Sequence, residues 1–274
     1  MLNSFSIYFK EVASQCIKFM DAIEHIRFNE EDDALELFLM TTINVNINNA
    51  KSISLLLDND QFGSVIMVCR NIIESYFNIH WAYEPLEKEA VKNRVFELEG
   101  DTLFHLEKEI NLIDEKQLLG EITWGNQKVQ EFKKLIETKK TNFPQLLTKN
   151  KDGKIIFKHP PPFANRMLEH RLRYYQIYIF TSLFTHPSPK LKEFYLSRIV
   201  NENTGLEIVE DALKQILAFS IYLIQAIIGY AEIVFRDIIP DSSIIRKTCY
   251  QEIINIVNNA NKGIVDFNKI TTKK

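Results

Sequence analysis

Only 8 glycines and 8 prolines punctuate 274 residues, and this scarcity restricts the fold more than any other feature of the chain. Turns and strand ends draw on those two residues, so a chain with so few must run through long uninterrupted elements. Apolar residues recur three and four positions apart along most of those runs, which is the period of a helix face. The sequence therefore predicts an all-α fold, a single multi-helix bundle over residues 1–274 with one long irregular loop at about 142–163. Helices are expected over Ser4–Arg27, then to about Leu57, over Phe62–Tyr83, from Glu84 to about Leu118, and up to Lys140. Further helices are expected over Ala164–Thr185, Leu206 to about Asp237 and Ser242 to about Asn261. The stretch Thr42–Asn49, TINVNINN, alternates with period two like a strand, but its flanks have helical spacing and the whole is read as helix. In the irregular loop, Lys151-Asp152-Gly153-Lys154 is a turn signal, Ile155–Phe157 has strand character, and Pro160-Pro161-Pro162 is extended.

With 46% apolar residues the chain can bury a substantial core, so disorder is not expected. A net charge of -3 provides no global field for nucleic acid, and any phosphate contact must come from a local patch. Two patches qualify. Lys139, Lys140, Lys149, Lys151, Lys154 and Lys158 crowd around the loop, and Arg166, Arg171 and Arg173 follow with Tyr174 and Tyr175 beside them. Lysines in such a run either solvate the loop or, with arginines and aromatic faces, hold an RNA backbone and stack its bases. Cys16, Cys69 and Cys249 are odd in number and lack metal-ligand spacing, which suits free buried thiols in a reducing compartment. The N-terminus lacks the basic start and apolar run of a secretory signal, so the cytoplasm is the expected location. The uncharged run Ile216–Ala231 is shorter than the about 20 residues a membrane span needs and carries Gln225 near its middle. It is read as a core helix, and no membrane insertion is expected.

Two helical stretches place polar residues four apart in apolar surroundings: Arg70 and Glu74 in one, Tyr178, Ser182 and His186 in the other. Residues at that spacing share a face, and two such faces that meet make a polar pocket. Around Arg70 the helical projection gathers Glu74, Met67, Asn78, Asn71, Ser64, Ser75 and Trp81 into one arc, with apolar residues elsewhere. The arc is either solvated, with Arg70 and Glu74 contributing under about 1 kcal/mol, or partly buried around a functional pair. His186 at a helix C-terminus is favoured as a cation with no catalytic role required. Ser182 and His186 with Glu74 also compose a conceivable serine nucleophile, although no Gly-x-Ser-x-Gly elbow is present. No HExxH motif supports a metal site from Glu74, His170 and His186, and no Gly-rich phosphate loop supports a nucleotide, so neither metal nor cofactor is expected.

The segments Val68–Trp81 and Tyr178–Ser188 together resemble a bacterial all-helical domain family of unknown function. Its members carry Arg-x-x-x-Glu on one helix and Tyr-x-x-x-Ser-x-x-x-His on a later one. Here those positions are Arg70, Glu74, Tyr178, Ser182 and His186, and the resemblance covers about residues 35–235, with the first and last helices as additions. In outline such families are similar to HEPN proteins, many of which are metal-independent ribonucleases of toxin and phage-defence systems that pair an arginine and a histidine at a dimer interface. HEPN nucleases hold that arginine and histidine on one helix; Arg70 and His80 stand further apart than their spacing, and Arg166 and His170 closer. The resemblance implies an RNA-acting effector or accessory factor, expected as a homodimer or with a partner protein. Its alternative is a binding or assembly module in which the five residues form a structural network.

Overall fold

The structure, a computed structural model, describes residues 2–23, 33–115, 125–166, 181 and 204–262. They are almost wholly helical: α1 (Leu2–Asp21), α2 (Ala34–Asp58), α3 (Phe62–Tyr83), α4 (Lys88–Glu115), α5 (Gly125–Asn142), the single turn α6 (Phe163–Arg166), α7 (Thr204–Ile238) and α8 (Ser243–Asn261). The sheet among them is one antiparallel hairpin of β1 (Leu147–Lys149) and β2 (Ile155–Phe157), in register Leu147↔Phe157 and Lys149↔Ile155. The all-α expectation is met. The irregular loop contains this hairpin, so IleIlePhe is a strand and Lys151–Lys154 its turn. TINVNINN is helical: Thr42 donates to the Phe38 carbonyl and Asn46 Nδ2 to the Thr42 carbonyl, both at 2.8 Å, so these side-chain donors bond back to the helix itself. The helix expected over 164–185 lies, apart from its start and Thr181, outside the described residues.

Two compact units form, and the second interrupts the first in sequence. The first takes residues 1–28, 36–79 and 167–274. Its α1 buries Phe5, Phe9, Val12, Cys16 and Phe19, spaced three and four apart, and packs on α7 and α8. The middle of α7 is buried all round its inner side through Leu217, Ile221, Ile224 and Ile228. Its stretch Ala212–Arg236 is the one described helix long and apolar enough to cross a membrane, and 61% of its most apolar window is buried in protein. Gln225 donates to the Tyr250 hydroxyl of α8 at 3.0 Å, and Gly229, one turn on, leaves room for the same ring. All three cysteines are free and buried, and desolvation pushes the thiols of Cys16 and Cys69 up to about 12.

One polar link joins α1 to the end of α2. The buried Ser6 hydroxyl donates to Asp58 at 2.6 Å, and Lys10 reaches the other carboxylate oxygen at 2.9 Å. The Ser6 hydrogen bond, then the Lys10 ammonium, hold the Asp58 carboxyl below the usual 3.8. A depressed folded value contributes stability that is present above the unfolded value and is lost as pH falls through the folded one. Unfolding free energy measured below about pH 4 should therefore fall more steeply in the natural protein than in Asp58→Asn, and equal slopes would refute the link.

The second unit comprises residues 29–35 and 80–166. Phe96, Leu103 and Ile110 of α4 stand seven apart, as do Val129 and Ile136 of α5, so each helix turns one apolar stripe inward. Leu146 and Phe157 of the hairpin region close the same core. Main-chain contact is very tight here: a Cβ on Gly100 of α4 would stand 2.3 Å from the Lys158 carbonyl oxygen.

Candidate functional site

The polar arc read from the sequence is the less buried side of α3. Val65, Cys69, Ile72, Ile73, Phe77 and Ile79 are fully buried, whereas Met67 and Asn71 are exposed and Ser64, Arg70, Glu74 and Asn78 are intermediate. Ser64, Met67, Val68, Arg70, Asn71 and Glu74 line an open depression on this side. Arg70 Nε donates to Glu74 Oε1 at 2.8 Å, with side-chain exposures of 19% and 37%. The helix itself explains the contact, because residues four apart stand one above the other and the guanidinium can reach along the axis. This contact uses the Nε donor of the guanidinium and is charge-assisted. Tyr178, Ser182 and His186 lie outside the described residues, as do His170, Arg171, Arg173, Tyr174 and Tyr175. Their described neighbour Thr181 is fully buried.

Trp81 departs from the expected arc. It is 9% exposed and belongs to the second unit, where the guanidinium of Arg94 lies 4.9 Å and that of Arg166 6.0 Å from the centre of its ring. Arg94 also donates to the Trp81 carbonyl and to Glu84. Arg166, grouped in sequence with an exposed basic run, thus has a packing role, stacked on Trp81 and at 5.2 Å on Phe163. The signal for this cluster is the tryptophan at the end of α3, whose rotation angle alone does not show that its ring packs with Arg94 and Arg166. Among the described residues no group of three or more His, Cys, Asp and Glu side chains stands together.

An all-helical chain with a paired arginine and carboxylate on an open helix face is the class of protein these observations define. Residues 36–204 match the sequence model of DUF5677, a family of unknown function, and the chain belongs to that family. Neither a curated protein nor a solved structure matches it.

Proposed function

We propose that this protein acts on RNA in the cytoplasm, as a HEPN-like effector or accessory factor of stress or phage defence, with the Arg70 depression as its reacting centre. The observation that carries the reading is Arg70 itself, a partly buried guanidinium on an open depression, oriented at Nε by Glu74. A guanidinium is suited to two phosphate oxygens at once. In this reading His186 takes the proton from an attacking ribose 2′-hydroxyl and returns one to the departing 5′-oxygen as the phosphorus–oxygen bond breaks. Arg70 stabilises the charge on the pentavalent phosphorus, while Glu74 and Tyr178 hold the two groups in orientation. A homodimer would supply the second copy of each group, and solution mass tests it.

Ribonuclease activity on a labelled RNA, measured together with thermal unfolding, tests the proposal. Arg70→Ala should lower cleavage by about 10²–10³-fold and His186→Ala by about 10²–10⁴-fold. Arg70→Ala should move the melting temperature little, because a partly exposed i,i+4 pair contributes under about 1 kcal/mol, and in this reading His186→Ala leaves it nearly unchanged. A second reading is favoured by the carboxylate on Arg70, which offsets the charge a phosphate would seek: the five residues then form a structural network in a binding or assembly module. A large drop in melting temperature for Arg70→Ala, with no cleavage by the natural protein, selects that reading. Ser182 left unlabelled by a phosphonylating probe removes the serine hydrolase alternative.

A further inference from the structure

Residues 128–166 carry ten lysines and arginines against three acidic residues, in a chain whose net charge is -3. The fold sets two groups of those cations apart. In the last turn of α5, Lys139 and Lys140 pair with Glu99 and Glu107 of α4 at 3.5 and 2.6 Å, and both lie over phenylalanine rings. Arg166 is stacked on Trp81. These cations hold the second unit together. At the hairpin tip, Lys149, Lys151 and Lys154 are exposed, and none pairs with an acidic side chain among the described residues.

The tip is also rigid. Asn150 N–H donates to the Lys154 carbonyl at 2.9 Å and Gly153 N–H to the Asn150 carbonyl at 3.0 Å. The Asn150 side-chain oxygen accepts from the N–H groups of Asp152 and Lys154 at 3.0 and 2.9 Å, and Gly153 takes the left-handed φ of 75° that closes the loop. Below it, the Lys158 N–H donates to the Leu146 carbonyl at 2.7 Å and Phe157 is fully buried. Three lysines thereby stand within six positions on a turn whose main chain is held by its own hydrogen bonds. Asp152, exposed in the same turn, offsets one of the three charges, and the remaining positive excess is what a polyanion neutralises. From Lys149 to Ile155 no aromatic ring is available to stack an unpaired base, so contact falls on phosphates and not on bases.

We propose that the hairpin tip grips the phosphate backbone of double-stranded RNA through Lys149, Lys151 and Lys154, without reading base sequence. The choice of RNA as the polyanion rests on the function proposed above, whereas the phosphate-gripping tip stands on its own geometry. Fluorescence anisotropy of the full chain with a labelled RNA duplex of about 20 base pairs, longer than the about 16 that a duplex-binding module spans, is the test. It is run between about 50 and 200 mM salt. Replacing the three lysines together by glutamate should weaken binding at least about tenfold, and by glutamine should lower the slope of log affinity against log salt by about three. Thermal unfolding of both variants should match the natural protein, since all three side chains are exposed.

Unchanged affinity and slope in both variants overturn the assignment. So does binding of polyglutamate by the natural protein with no binding of RNA, which would make the tip a contact for acidic polypeptides. Arg70→Ala separates this from the reaction. If RNA is cleaved in an Arg70-dependent way while the lysine variants bind normally, the hairpin assignment fails alone. If the tip lysines bind RNA and nothing is cleaved, the reaction fails and the grip stands.

Discussion

Arg246→Ala should lower the unfolding free energy by about 3–5 kcal/mol, the largest loss expected from any single substitution here, read by urea denaturation of the full chain. Arg246 is wholly buried at the start of α8. Its Nε donates to Glu232 Oε2 of α7 at 2.9 Å, and its Nη1 donates to the Ile239 carbonyl at 2.7 Å and to the Ser242 hydroxyl. One guanidinium therefore neutralises a buried carboxylate, satisfies a carbonyl just past the end of α7, and holds the turn that leads into α8. Alanine leaves Glu232, 5% exposed, as an uncompensated charge in the core. Removing both partners has a different cost. Arg246 Nη2 and Glu232 Oε1 make no hydrogen bond, so the pair is incompletely satisfied, and well-packed apolar groups in its place avoid that penalty. Arg246→Met with Glu232→Leu should thus be more stable than Arg246→Ala alone. A loss under about 1 kcal/mol for the single variant would mean that the charge is solvated and the pair is not structural.

That pair was not legible in the sequence, and the reason is spacing. Pattern reading finds partners three or four apart on one helix, which is how Arg70 and Glu74 were found. Glu232 and Arg246 stand fourteen apart across a turn, and Glu232 reads as the polar edge of an amphipathic helix until α8 folds back on α7. The lysines show the same limit. Neighbours in the chain read as one basic patch, yet the end of α5 turns Lys139 and Lys140 toward the carboxylates of α4, while the hairpin carries Lys149, Lys151 and Lys154 away from them. The helices themselves were legible because their signals are local: apolar period, scarce glycine, and proline or glycine at the breaks. β1 was missed because three residues, Leu147-Thr148-Lys149, contain too little alternation to register, and only their pairing with Ile155–Phe157 makes them a strand.

Gly100 reverses a rule that holds at most helical glycines, and this makes Gly100→Ala the second large effect. In the interior of an exposed helix, alanine is favoured over glycine by about 1 kcal/mol, because glycine loses more backbone freedom on folding. Position 100 is buried in the middle of α4, where a Cβ would meet the Lys158 carbonyl oxygen at 2.3 Å, its carbon at 3.2 Å and its nitrogen at 3.3 Å. The obstacle is main chain, and that main chain is held by the Lys158 N–H bond to Leu146 and by Phe157 seated in the core. Neither side can yield without separating α4 from β2, so overpacking outweighs the propensity gain and Gly100→Ala should destabilise the chain by about 2 kcal/mol. Asn93→Ala, exposed on the same helix, should instead be neutral or stabilising by a few tenths of a kcal/mol. Amide exchange locates the damage: protection should fall at Ile155–Phe157 and Lys158 in Gly100→Ala and stay unchanged in Asn93→Ala. Because the lysine tip is held in place by that strand, Gly100→Ala should also weaken RNA binding with every lysine intact, which charge alone would not do. A stabilised Gly100→Ala protein would show that α4 and the hairpin are not in contact at this point, and the rigid presentation of the tip would lose its anchor.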